Sequence, residues 1–303
     1  MRKGKGMILV TLAVVAVLAV AALLGACGKS KAKSSATTPT QSFTKILGHA
    51  PAGLAATIAS KGTFTVVDDA NYPPQSYIDK QGNLTGFDVD VAKRLGAILG
   101  VPVKIVNAPW ASVLSGIPVD RFDVSIGSMT ITTAREKSMA FSDPYYYTQG
   151  QVIVKQGAPI LASLAAMKGK TIGVGTGTTY YDYLNKAGGI NIKPYDTDAS
   201  TFPDLKNGRL NGVMTADLTA GQAISSGFPF VFSGNPYYYE PLAFATEKGQ
   251  ADWVALLDYA VQTMHKDGTL TAMAKKWYHG FDPTQTPKAG IPTYDQAMAA
   301  LKK

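Results

Sequence analysis

Short runs rich in Val, Ile, Thr and Tyr alternate with helical apolar stripes over most of this 303-residue chain, and that alternation constrains the fold more than any other feature. Residues 63–67 alternate as a strand, whereas residues 87–99 place apolar side chains at 87, 91, 95, 98 and 99, a helical stripe closed by Gly100 and Pro102. Residues 103–106 read as a strand, 111–117 as a helix and 122–127 as a strand. The pattern continues through 163–167, 171–174, 179–185, 202–207 and 212–215, and it ends with a long helix over 251–265 and a shorter one over 270–277. An α/β architecture follows. A further short helix is expected after Pro51, within residues 43–60.

Two extended stretches, 149–155 and 236–246, are the candidate chain crossings between lobes. If both cross, the lobes interleave. Lobe 1 comprises residues 43–150 plus 244–303, the latter including a C-terminal extension from 282, and lobe 2 comprises 151–243. The aromatic triplets Tyr145 to Tyr147 and Tyr237 to Tyr239 lie near these crossings and are read as packing between lobes.

The first 26 residues stand apart. Arg2, Lys3 and Lys5 precede an apolar run over 7–24 that ends Leu24-Gly25-Ala26-Cys27, the form of a signal peptide with a small-residue cleavage site. The residues before Cys27 resemble the bacterial lipobox, which assigns Cys27 to lipidation. Two or three acyl chains hold a protein on a membrane where one does not. Residues 27–42 are small and polar, a flexible tether. Cys27 is the one cysteine, so no intramolecular disulfide is available.

A hydrophobic content of 46% with 17% charged residues excludes wholesale disorder and a polytopic membrane protein. The formal charge of +8 falls to +5 once the three basic residues of the signal peptide leave, and the remaining basic residues are scattered. Nucleic-acid binding asks for a basic stripe with stacking aromatics, and none is present. His49, His265 and His279 are too dispersed for a metal site. Gly173, Gly175 and Gly177 miss the dinucleotide-binding spacing by one residue. No cofactor is expected.

Several segments suit a small zwitterion. After the strand at 122–127 come Ser128, Thr130, Thr132 and Thr133, then Arg135, whose guanidinium fork matches both oxygens of a carboxylate. A helix cap with a solvated Arg135 explains the same residues equally well. Thr179 opens a helix whose free N–H groups suit an anion. Asp217 follows the strand at 212–215, where it is either an ammonium partner or an N-cap. Asp69 follows the first strand, and Tyr72 and Trp110 are either ligand walls or core.

Together these segments resemble the amino-acid-binding group, family 3, of the periplasmic-type solute-binding proteins. The likeness covers roughly residues 61–280. It is carried by Asp68-Asp69-Ala-Asn-Tyr72-Pro-Pro, by Gly82-Asn-Leu-Thr-Gly-Phe-Asp-Val-Asp90, by Pro109-Trp110 and by residues 127–135. Phe141-Ser-Asp-Pro-Tyr145, residues 177–179, Asp204-Leu-Lys-Asn-Gly208, Asp217 and Lys266-Asp-Gly-Thr269 continue it in order. Gln75-Ser76 and Pro118 depart from the family's pattern.

The resemblance implies a two-lobe periplasmic-binding-protein (type II) fold with hinge strands and an interlobe cleft. It implies Arg135 on the ligand's α-carboxylate with Thr130 and Thr179, Ser128 and Asp217 on the α-ammonium, Tyr72 and Trp110 beside the side chain, and Asp69 at its polar end. It further implies a monomer that delivers an amino acid to an ABC permease from outside the cytoplasm and is not an enzyme. Rival expectations are a dehydratase on the same scaffold and a ligand-sensing module for a membrane receptor.

Overall fold

The computed structural model describes residues 37–287 and 289–301, so the signal peptide, Cys27 and all but the end of the expected tether lie outside the described residues. Helix α1 (Pro39–Leu47) already begins inside the stretch expected to be flexible. Its start is built by a capping box, in which Thr38 accepts from the Gln41 N–H and the Gln41 side chain returns to the Thr38 N–H. Phe43 then anchors α1 in the core.

The elements of the first lobe follow as α2 (Gly53–Lys61), β1 (Phe64–Asp68), β2 (Asn71–Tyr72), β3 (Ser76–Ile78), β4 (Leu84–Thr85), α3 (Phe87–Leu99), β5 (Val103–Asn107), α4 (Trp110–Gly116), β6 (Val124–Thr130) and β7 (Met139–Phe141). Strand β8 (Tyr146–Lys155) leads into α5 (Leu164–Met167), β9 (Thr171–Gly175), α6 (Thr179–Ala187), β10 (Asn191–Tyr195), α7 (Phe202–Lys206), β11 (Gly212–Ala216), α8 (Asp217–Ser225) and β12 (Phe230–Phe232). Strand β13 (Tyr238–Glu247) returns the chain to α9 (Ala251–Lys266) and α10 (Thr269–Trp277), and α11 (Tyr294–Ala300) ends the described residues.

The main sheet runs β10-β9-β11-β8-β13-β6-β1-β5. Its two wings, β6-β1-β5 and β10-β9-β11, are parallel, and the antiparallel pair β8 and β13 joins them. Register shows the crossing directly. Tyr146 to Gly150 of β8 pair with β13, after which Gly150 to Ile153 pair with β11. Conversely, β13 pairs with β8 through Leu242 and then with β6 through Ala245. Gly150 sits where both pairings meet, and a Cβ there would lie 2.5 Å from the Tyr238 ring. The fold is therefore the two-lobe α/β arrangement, and the parallel wings aim the C-terminal ends of β1, β6 and β9 at one another's loops.

Each wing has its own core. Around lobe 1, α3 and α9 bury Phe87, Leu95, Trp253 and Leu257 against β1 and β6. Around lobe 2, Val174, Leu184 and Tyr238 pack together beneath α6. The aromatic triplets divide differently from expectation. Tyr145 and Tyr146 join Phe87 in the lobe 1 core, Tyr238 joins Tyr183 in lobe 2, and the one cross-strand contact is Tyr147 against Tyr239, centroids 6.1 Å apart. Position along the pair accounts for this split, because Tyr146 pairs with Leu242 at one end of the β8–β13 register and Tyr238 pairs with Gly150 at the other.

The C-terminal extension also differs from its expected place on lobe 1. Tyr294 and Ala297 of α11 belong to the lobe 2 core, and Lys186 of α6 donates to the Met298 carbonyl at 2.6 Å. Asp295 on the same helix accepts from the N–H and hydroxyl of Thr133 in lobe 1.

Candidate functional site

The loops that follow β1, β5, β6, β9 and β10 converge on one cavity of about 70 Å³ between the lobes. Seven of the eight residues singled out from sequence line it: Asp69, Tyr72, Trp110, Ser128, Thr130, Arg135 and Thr179. Asp217 does not. Its Oδ1 accepts from the Gln149 N–H at 3.0 Å and the Leu218 N–H at 2.9 Å, which ties the start of α8 to the crossing strand β8.

Arg135 is held by a turn, where Thr132 Oγ1 accepts from its N–H at 3.1 Å. Its guanidinium reaches back to the Thr130 carbonyl at 3.0 Å and across to the Gly177 carbonyl of lobe 2 at 3.3 Å, and it lies 5.5 Å from the Trp110 ring centroid. Burial pulls its pKa below the usual arginine value, and the charge of Glu240 opposes that shift. Trp110 makes the same crossing, its Nε1 donating to Gly177 O at 3.2 Å. Two lobe 1 donors thus converge on one lobe 2 carbonyl. Such a cavity is small beside ordinary ligand pockets.

Ser128 is fixed from three sides. It has φ +53, a left-handed backbone that a β-strand residue rarely adopts. Tyr145 Oη accepts from its N–H at 3.1 Å, its hydroxyl donates to Asp88 at 2.6 Å, and Tyr146 Oη donates to it at 2.5 Å. Asp88 is fully buried on α3, and burial lifts its carboxyl to about 7 although Ser128 and Tyr145 pull the other way. These surroundings over-determine the strained backbone.

Asp69 is likewise occupied. Its Oδ1 accepts from the Asn71 N–H and amide, and its Oδ2 accepts from the Trp110 N–H at 2.9 Å, so it fastens the wall that carries Tyr72 to the one that carries Trp110. Tyr72 packs on the lobe 2 core from its place in lobe 1.

Three carboxyls not singled out from sequence as ligand contacts also line the cavity: Asp68, Asp196 and Asp198. Asp198 is buried, and it accepts from the Gly175 N–H at 3.1 Å and the Thr215 hydroxyl at 2.6 Å. Burial lifts it to about 6. Burial and then the charge of Asp88 push Asp68 well above the usual carboxylate range. The signal for Asp198 was present, since β10 is a strand and Asp198 follows its C-terminal end, but the exposed, Pro-containing segment 191–195 has no strand-like alternation. Among the described residues no group of three His, Cys, Asp or Glu side chains is placed to hold a metal ion, and no helix is long and apolar enough to cross a membrane.

The profile of the family described as bacterial extracellular solute-binding proteins, family 3, matches residues 64–280. The chain is 32% identical over 243 residues to the L-cystine-binding protein TcyJ of Escherichia coli (strain K12), covering 79% of this chain and 91% of that protein. An ancestral arginine-binding protein bound to arginine superposes with a TM-score of 0.68 at 32% identity, over 72% of this chain and 98% of that one. The ancestral amino acid-binding protein AncCDT-1, a precursor of cyclohexadienyl dehydratase, superposes with a TM-score of 0.66 at 30% identity, over 73% and 98%.

Proposed function

The chain belongs to the bacterial extracellular solute-binding proteins of family 3, and from that premise we propose that it captures an amino acid with a polar or basic side chain between its lobes. One observation carries this reading: a single cavity sets the Arg135 guanidinium against four carboxyls, Asp68, Asp69, Asp196 and Asp198. A carboxylate on the ligand pairs with the guanidinium, and its nitrogen groups face the carboxyls. Asp198 is the lobe 2 carboxyl for an ammonium group, in place of Asp217, which does not line the cavity. Family members bind amino acids and work with ABC transporters, and by extension this chain delivers its captured amino acid to an ABC permease in the same reading.

The Asp198 carboxyl gives this reading a pH signature. With a pKa raised to about 6, it is ionised at pH 7 and mostly protonated at pH 5, so it attracts an ammonium group only at the higher pH. Affinity therefore falls as pH drops through 6, by roughly tenfold at pH 5 relative to its plateau, as expected for a group that must lose its proton to bind. Calorimetry at pH 5 and 7 should show this change, and Asp198→Asn should flatten it. An unaltered pH slope in the variant would remove Asp198 from the ligand's contacts.

The dehydratase reading has one foothold, the raised carboxyls Asp68 and Asp198, which have the character of general acids. Prephenate carries two carboxylates, however, and the lining holds one guanidinium for them. We further assign Cys27 to lipid attachment at an extracytoplasmic membrane face. Labelled palmitate should enter the wild type expressed in bacteria and be absent from Cys27→Ser. Label retained in that variant would end the assignment.

A further inference from the structure

Glu240 lies behind the cavity on β13, fully buried, and three threonine hydroxyls donate to its carboxylate. Thr130 of lobe 1 gives its hydrogen to Oε1 at 2.9 Å, Thr179 of lobe 2 gives its hydrogen to the same oxygen, and Thr148 of β8 reaches Oε2 at 3.3 Å. Thr130 and Thr179 line the cavity, whereas Glu240 and Thr148 do not. A hydroxyl has one hydrogen and two lone pairs, and a carboxylate only accepts. Once that hydrogen is given to Glu240, the hydroxyl has nothing left to donate to a ligand. Only lone pairs remain for the cavity side.

We propose that Glu240 fixes the hydrogen-bond polarity of the site, making the Thr130 and Thr179 hydroxyls acceptors toward the cavity, so that these hydroxyls receive an N–H of the ligand and do not donate to its carboxylate. This inference rests on the amino-acid reading above and deepens it, because it reverses the role that the resemblance implied for both threonines. The carboxylate is left to Arg135, and the ammonium gains two neutral acceptors beside Asp198. Glu240 touches no ligand. It is a positioning residue that sets specificity through its neighbours, and because Thr130 and Thr179 come from different lobes, the polarity is set on both sides of the cavity.

The test has two arms. In the first, NMR of the full-length, ligand-free protein follows the hydroxyl protons of Thr130 and Thr179. Both should be slow to exchange with water and close to the Glu240 side chain, and rapid exchange without such proximity would overturn the proposal whether or not any amino acid binds. In the second, the tightest-binding amino acid of a calorimetric panel and its α-hydroxy analogue, which has hydroxyl in place of ammonium, are titrated into wild type and Glu240→Gln. Wild type should prefer the amino acid by about 100-fold or more. The glutamine amide donates as well as accepts, which releases a threonine hydrogen, so the preference should shrink to about tenfold or less. A purely structural role would weaken both ligands by one factor and leave the ratio unchanged, and that result would contradict the proposal. If no amino acid binds wild type, the amino-acid reading fails while the first arm still decides the polarity.

Discussion

Arg135→Ala should cost the protein its ligand, weakening affinity for the best-bound amino acid by about 2–5 kcal/mol, or roughly thirtyfold to several thousandfold. The guanidinium is the one cationic group in the cavity lining, and the four carboxyls around it offer the ligand's carboxylate no alternative partner. Removing it leaves that carboxylate buried without a counter-charge. Arg135→Lys should recover only part of the loss, because an ammonium cannot reproduce the parallel donors of a guanidinium fork. Thermal stability without ligand should change little, since Arg135 is half-buried and its two carbonyl partners, on Thr130 and Gly177, are backbone groups at the cavity edge. Calorimetry and a melting curve on the same samples separate the two effects. Full affinity in Arg135→Ala would mean that the carboxylate is held elsewhere.

Trp253→Ala should leave the site's chemistry alone and strike the fold, costing about 3–5 kcal/mol in urea unfolding. Trp253 projects from α9 into the lobe 1 core with no exposed surface, edge-on to Phe64 at 5.3 Å and within 6.5 Å of Phe43. Its Nε1 also donates to the Asp123 carbonyl at 3.1 Å. Truncation therefore opens a large cavity, and the Asp123 carbonyl keeps the Thr246 hydroxyl as its donor. The loss is a large part of the 5–15 kcal/mol typical of a domain. Ligand affinity measured well below the new midpoint should stay within a few-fold of wild type. A loss under about 1 kcal/mol would show that α9 is not a keystone of lobe 1.

What could be read beforehand depended on how local each signal was. Helix α3 was legible to the residue, because the stripe at 87, 91, 95, 98 and 99 lies within its own thirteen residues and the stop at Gly100 follows directly. Strands β8 and β13 were legible as extended, but their aromatic residues were not assignable to one lobe or the other, since that depends on the register between two segments about ninety positions apart. The hairpin β2-β3-β4 passed unnoticed because its strands are two or three residues long.

The site divided along the same line. Arg135, Thr130 and Thr179 follow strand ends that periodicity locates. Asp217 also follows a strand end, yet its carboxylate turns to the Gln149 N–H, a partner 68 positions away. Glu240 gave no warning at all, since a glutamate before a proline in a strand resembles an exposed residue until Thr130, Thr148 and Thr179 are brought around it. The extension from 282 was placed on lobe 1 by chain continuity, whereas α11 finds its apolar partners beside α6.

The central claim is that one amino acid binds between the lobes. Calorimetric titration of the purified protein at pH 7 with the twenty amino acids, cystine and ornithine tests it most directly. The expected result is a single site per chain, a dissociation constant of about 1 μM or tighter for at least one polar or basic amino acid, and weaker binding of acidic ones. Absence of heat from every member of the panel, or a preference for aspartate or glutamate, would contradict it.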